Sequence, residues 1–344
     1  MSDYYKKRAA YINSWPDVQP FEAELKYQQR CEAFRKKYGR LPFQPMQMPE
    51  SDEPVYNRVL TFLIEALEEI PCKPNHAFNY LFTGFDNFTE SVYSISNNTI
   101  RIKHIYHDIT NGSCKQNQNV INTILSELFA CFPLGAGKYL FNNLYEFKNN
   151  KMNTTNIFKR ITEDEHQHVI KDYKNILNAI RDKYDLANAI KEKEEQNKKK
   201  KQSTDNEIVK IKAADGQRMM AGQLFQILFS ITPVKIKEQK SGKEQTFDID
   251  LAFRVNLLLS GILFSLRNDS FHGSLMVSTK SSKATIELYA SDYYCFLAIY
   301  VLLMLMLIEK SGIASDEADK NTLYQDLLTN VRANMENYRL LFAE

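Results

Sequence analysis

The sequence predicts a mainly α-helical fold, a helical bundle with small β-hairpin insertions, and three observations carry that expectation. Gly and Pro number only 11 and 10 in 344 residues, whereas strand-rich folds need many turns. Apolar residues recur at helical spacing through most of the chain. Hydrophobic residues make up 44% and charged residues 25%, enough to bury a sizeable core in one large domain or two.

The elements follow in order. Residues 21–40 read as a charged amphipathic helix ending before Leu41 and Pro42, followed by a loop rich in Pro and Met up to Pro54. Residues 55–70 place Val59, Leu60, Leu63, Ile64 and Leu67 on one helical face, and Pro71 and Pro74 stop the pattern. Residues 75–95 carry Phe78, Leu81, Phe82, Phe85, Phe88 and Val92 at helical spacing. This aromatic stripe is read as core in preference to a base-stacking platform. Residues 99–108 alternate weakly and predict a short strand. Residues 119–132 and 138–147 look helical, and 163–195 read as one long polar helix. It runs into the lysine run Lys198, Lys199, Lys200 and Lys201 and a flexible junction at 202–206. The run is a weak candidate for phosphate-backbone contact; the plainer reading is a solvated helix end, where cations suit the helix dipole.

Residues 216–232 predict a helix and Val234 to Thr246 a small hairpin. A long helix follows from about Asp250. Residues 274–289 are read as a second hairpin or ordered loop, Ser291 as an N-cap and Gly312 as a C-cap. Between those caps, Tyr293 to Ile308 is almost wholly apolar. The run is shorter than the about 20 residues of a membrane span, and charges close it on both sides, so a central core helix is expected and no membrane partner. A last amphipathic helix covers about 319–342. Residues 1–50 are taken as an N-terminal helical extension. Residues 51–344 are taken as one helical domain with a flexible charged insert at about 190–215.

Charge and cysteines exclude some classes. With a net charge of +2, a strongly basic surface is not required, although a local patch remains open. The five cysteines form no CxxC pair, which fits a reduced, cytoplasmic compartment. The segment Met1 to Arg8 lacks the apolar stretch of a signal peptide. Gly135, Ala136, Gly137 and Lys138 resemble the end of a phosphate-binding loop. Tyr139 stands where Ser or Thr is needed, and Phe132 where the first glycine should be. His104, His107 and Asp108, like His166 and His168, lack companion ligands at a familiar zinc spacing. No metal and no cofactor is therefore expected.

The segment 251–273 stands apart. Leu251, Val255, Leu258, Leu259, Ile262 and Leu266 form a buried stripe. Gly261, Ser265, Asn268 and His272 all fall within roughly 40° of Arg254 on an ideal helix, a narrow polar face that ends in a histidine. Gly261 within it costs about 1 kcal/mol relative to Ala, which close approach of another backbone would explain. Arg267 lies roughly 140° from His272. The two converge only if the helix ends near Phe271, if Arg267 reaches across, or if two chains meet there; Gly273 supports a helix end.

The run Leu266, Arg267, Asn268, Asp269, Ser270, Phe271, His272, Gly273 resembles the Arg-x4-6-His signature of the HEPN superfamily (higher eukaryotes and prokaryotes nucleotide-binding). The form with Asn after Arg, and Phe before His-Gly, is frequent there. The setting is similar too: the motif closes one long helix and an apolar helix follows. The likeness covers about 250–310, and elsewhere only the helical character. It implies a HEPN-like helical bundle that forms a homodimer, with two motifs in one cleft. Many members are metal-independent endoribonucleases of toxin–antitoxin or antiviral defence systems, with an antitoxin or activating protein as partner. Others only bind RNA, nucleotide or protein. The resemblance implies Arg267 and His272 as the catalytic pair, with Asn268 as the polar residue beside the arginine.

Overall fold

The computed structural model describes residues 3–14, 17–18, 20–110, 114–146, 151–152, 222, 234–237, 242, 244–247, 251–271, 279–281 and 284–343. The expected helices at 163–195 and 216–232, the charged insert with Lys198 to Lys201, and His272 with Gly273 lie outside them, Gly222 excepted. The mainly α architecture is plain in the rest. The chain divides into two compact units, one of Met1–Pro133 with Leu266–Glu344, the other of Leu134–Ser265.

The first unit begins with α1 (Asp3–Asn13) and α2 (Glu22–Tyr38). Glu22 and Glu24 stand in the first turn of α2 and Arg35, Lys36 and Lys37 in its last, each sign matched to the helix dipole. Gly39 closes it with φ +66°, a left-handed conformation that suits glycine. Next come α3 (Pro54–Glu69) and α4 (Pro74–Tyr93), each with a proline in its first turn, where the missing N–H is no loss. The pair packs closely: a Cβ on Gly84 would lie 2.9 Å from the Cβ of Phe62. The aromatic stripe of α4 is core, with Phe78, Phe82, Phe85 and Phe88 all buried.

Residues 99–108 form no strand. They lie in α5 (Asn98–Thr110). Asn97 Oδ1 accepts from the backbone N–H of Thr99 at 2.9 Å and Ile100 at 3.3 Å, capping the first turn. The weak alternation concealed a helical period: Ile102, Ile105, Tyr106 and Ile109 are buried while Ile100 is exposed. The element α6 (Lys115–Phe129) follows.

The second unit holds α7 (Leu134–Leu144), whose end passes into β1 (Tyr145–Glu146), antiparallel to β2 (Lys151–Met152). The loop-like Gly135 to Lys138 is thus part of a helix. Strand β3 (Val234–Lys237) pairs antiparallel with β4 (Glu244–Phe247), Val234 opposite Phe247. Then come α8 (Leu251–Asn256) and a π-helical stretch, Leu257–Leu263, every residue of which is buried. It passes into α9 (Phe264–Phe271), and the division between units falls within α9 after Ser265.

The chain ends in α10 (Ile286–Lys310) and α11 (Glu317–Phe342). Helix α10 starts five residues before the expected cap. Thr285 precedes it, and Ser291 instead returns its hydroxyl to the Glu287 carbonyl at 2.9 Å from within the helix. At the other end Gly312 turns the chain with φ +75°. Helix α10 is long and apolar enough to cross a membrane, with mean hydropathy 1.9, yet 94% of that window is buried inside the protein. A helix apolar on all sides needs such cover. Helices α4, α11, α2 and α5 pack on it, α3 backs α4, and α6 backs α11.

Candidate functional site

The site is built around Arg267, in the last two turns of α9. Its Nη1 donates to Asn268 Oδ1 at 3.1 Å and its Nη2 to Asp86 Oδ2 at 3.4 Å. Asp86 comes from α4, on the flank of the buried aromatic stripe. The other carboxylate oxygen, Oδ1, is bound by Arg101 Nη2 from α5. Arg101 also donates to the Ile95 carbonyl at 2.6 Å and to Asn98 Oδ1 at 2.5 Å, with Glu90 3.7 Å away. One carboxylate therefore ties two guanidinium groups from different helices. Burial grades through the cluster: side-chain exposure is 1% at Arg101, 14% at Asp86 and 28% at Arg267.

The sequence named Arg267 and Asn268, and these two are in contact. His272, the third expected residue, and Lys198, Lys199, Lys200 and Lys201 lie outside the described residues. Asp86, Arg101, Glu90 and Asn98 were not foreseen. The usable signal was slight: Asp86 is a lone acid inside an aromatic stripe. Arg101 follows the capping residue Asn97 by one turn, which a strand assignment hides.

Of the polar face expected over 254–272, Arg254, Gly261 and Ser265 are buried, Arg254 at 7% and Ser265 at 2% exposure, while Asn268 is half-buried. Ser260, beside Gly261, is buried as well, at 1%. Ser260 Oγ donates to Asn256 Oδ1 at 2.7 Å and Ser265 Oγ to the Ser260 carbonyl at 3.0 Å. The π stretch also breaks the constant turn on which the wheel relies. Bonding from i to i+5 turns the chain less per residue, so positions after Leu263 fall back from an ideal α-helix. Phe264 N–H reaches the Leu259 carbonyl in that pattern.

A second polar cluster joins α4, α5 and α10. Asp108 Oδ2 accepts from Tyr93 at 2.7 Å and pairs with Lys310 at 2.8 Å. Burial works against the charge on Asp108, but the hydrogen bonds from Lys310 and Tyr93 prevail and hold its carboxyl below the ordinary value. His104 tilts against the Tyr93 ring, centroids 5.5 Å apart, and His107 Nδ1 is 3.8 Å from Asp108. Among the described residues no group of three or more potential ligands could hold a metal. The cysteines are thiols, and burial pushes Cys31 up to about 12 and Cys131 up to about 11, far from nucleophilic. A cleft of about 780 Å³ lies elsewhere, lined by Tyr11, Phe21, Lys26, Arg30, Thr285 and Glu287 among others. None of Arg267, Asp86 and Arg101 contributes to it.

Comparison with protein-family models, curated proteins and solved structures finds no match.

Proposed function

We propose that the protein is a metal-independent endoribonuclease of HEPN type, acting in the cytoplasm as a homodimer and serving as a defence or toxin protein under an antitoxin or activating partner. The observation that carries this reading is the setting of Arg267. It lies within α9, partly exposed, with Nη1 held by Asn268 and Nη2 by Asp86. A guanidinium so fixed presents its fork to a phosphate at little further entropic cost.

The chemistry suits these residue types. RNA carries its own nucleophile, the 2′-OH. His272, which follows the last residue of α9, takes the proton of that hydroxyl or gives one to the departing 5′-oxygen. Arg267 balances the charge that builds on the phosphorane. Two copies of the motif in one cleft supply a histidine for each proton transfer. The products carry 2′,3′-cyclic phosphate and 5′-hydroxyl ends.

Purified protein incubated with total RNA in EDTA tests the reading. Cleavage is expected, with Arg267→Ala and His272→Ala each lowering it about 10²- to 10⁴-fold. Intact RNA after incubation with a folded dimer, or undiminished cutting by the double variant, contradicts it. Inhibition by EDTA that a divalent metal reverses would direct attention to His104, His107 and Asp108. A second reading, a non-enzymatic module that binds RNA, nucleotide or a protein partner, draws on the same ion pair. Arg267 held by Asp86 also serves to join α9 to α4.

A further inference from the structure

We propose that Asp86, anchored by the buried Arg101, is a positioning residue that fixes the Arg267 guanidinium for phosphate. The inference rests on reading Arg267 as the phosphate-binding group of the site. Its ground is the division of labour across one carboxylate. Oδ1 is held by Arg101, and Oδ2 faces Arg267 Nη2 at 3.4 Å. Arg101 is itself anchored, since its donors also reach the Ile95 carbonyl at 2.6 Å and Asn98 Oδ1 at 2.5 Å. Asp86 is therefore a fixed acceptor and not a counter-ion that swings with solvent. Because Oδ1 is taken up by Arg101, Asp86 directs Arg267 through Oδ2 alone. Glu90, 51% exposed and 3.7 Å from Arg101, balances the buried arginine.

Stability alone is a poor account of this arrangement. Arg101 is 1% exposed, and its Nε has no hydrogen-bond partner. A buried cation with an unsatisfied N–H is costly, and apolar side chains of similar volume often serve a core as well or better. What an apolar pair cannot do is present a stationary oxygen to the second guanidinium. Asn268 holds the opposite Nη1 at 3.1 Å, so the rotation of the fork is set from both sides.

The test is a double-mutant cycle between Asp86→Asn and Arg267→Ala, read as RNA cleavage at saturating RNA and as affinity for a fluorescent oligothymidylate, which lacks the 2′-OH and is not cut. Asp86→Asn is expected to lower kcat about 10- to 100-fold and to weaken oligothymidylate binding, and to add nothing to either loss once Arg267 is Ala. Circular dichroism checks the fold. If Asp86→Asn alone does not fold, the variant D86N/R101M, which removes both buried charges together, replaces it in the cycle. Equal losses with and without Arg267 would make Asp86 merely structural and overturn the proposal while leaving the ribonuclease reading intact. Should the wild type bind oligothymidylate but cut no RNA, the ribonuclease reading fails and the cycle in affinity decides the positioning role by the same criterion. A wild type that neither cuts nor binds overturns both.

Discussion

Arg101 and Asp86 respond unequally to substitution because they are unequally replaceable. Asp86→Ala leaves Arg101, 1% exposed, without its carboxylate. Removing one partner of a buried pair costs about 3–5 kcal/mol. Arg101→Met leaves Asp86, which is more exposed and keeps Arg267, so its cost should be smaller. Urea midpoints of the two variants check the order, and a larger loss for Arg101→Met would contradict it. Asp108 gives a dependence on pH. Its folded pKa lies below the ordinary value, so its contribution is fully present above the unfolded carboxylate value of about 3.9 and fades as pH falls through the lower folded value. The stability gap between wild type and Asp108→Asn should therefore be open near pH 6 and closed in strong acid. A gap independent of pH would mean that Lys310 and Tyr93 do not favour the charged form.

At the scale of elements, the contact of α3 with α4 turns on Gly84. Alanine in a helix interior is favoured by about 1 kcal/mol over glycine. Here the new Cβ would meet Phe62 Cβ at 2.9 Å, an atom next to the backbone that cannot turn away. Gly84→Ala should thus destabilise, by about 1–3 kcal/mol as overpacking does; a rise in Tm would show that α3 yields freely. Helix α11 begins at a real cap: Asp316 Oδ1 accepts from Ala318 N–H at 2.8 Å and Asp319 N–H at 2.9 Å. Asp316→Ala should cost about 1 kcal/mol, measurable in urea. Helices with a strong apolar period were legible in the sequence, by Val59 and Leu63 in α3 and by Phe78 to Phe88 in α4, and α10 was legible from its unbroken apolar run, Tyr293 to Ile308. Weaker periods were not. Ile100 and Ile102 gave a false two-residue alternation across α5, and the π stretch at Leu257–Leu263 breaks the constant turn on which any helical wheel relies. The site was half legible for the same reason. Arg267 and Asn268 are adjacent in a motif, while Asp86 and Arg101 join them only through tertiary packing, which no local pattern records.

For the whole molecule, with charge nearly balanced at +2 overall, the RNA contact proposed above would be local and its salt dependence shallow. Arg267→Ala should lower the slope of log affinity against log salt by roughly 0.7 for a single strand. Changing Lys198, Lys199, Lys200 and Lys201 to Gln should leave it nearly unchanged, and a large fall would make that run a binding element. The first unit is discontinuous in sequence: Asp86 and Arg267 are 181 residues apart. At about 5–20 residues per second of synthesis, roughly 10–35 s pass between the emergence of one and the other. For that interval the aromatic face of α4 lacks α10, the helix that packs on it in the finished fold. A nascent chain cannot hold Arg267 against Asp86 until most of the protein has been made, so translation itself delays assembly of the site.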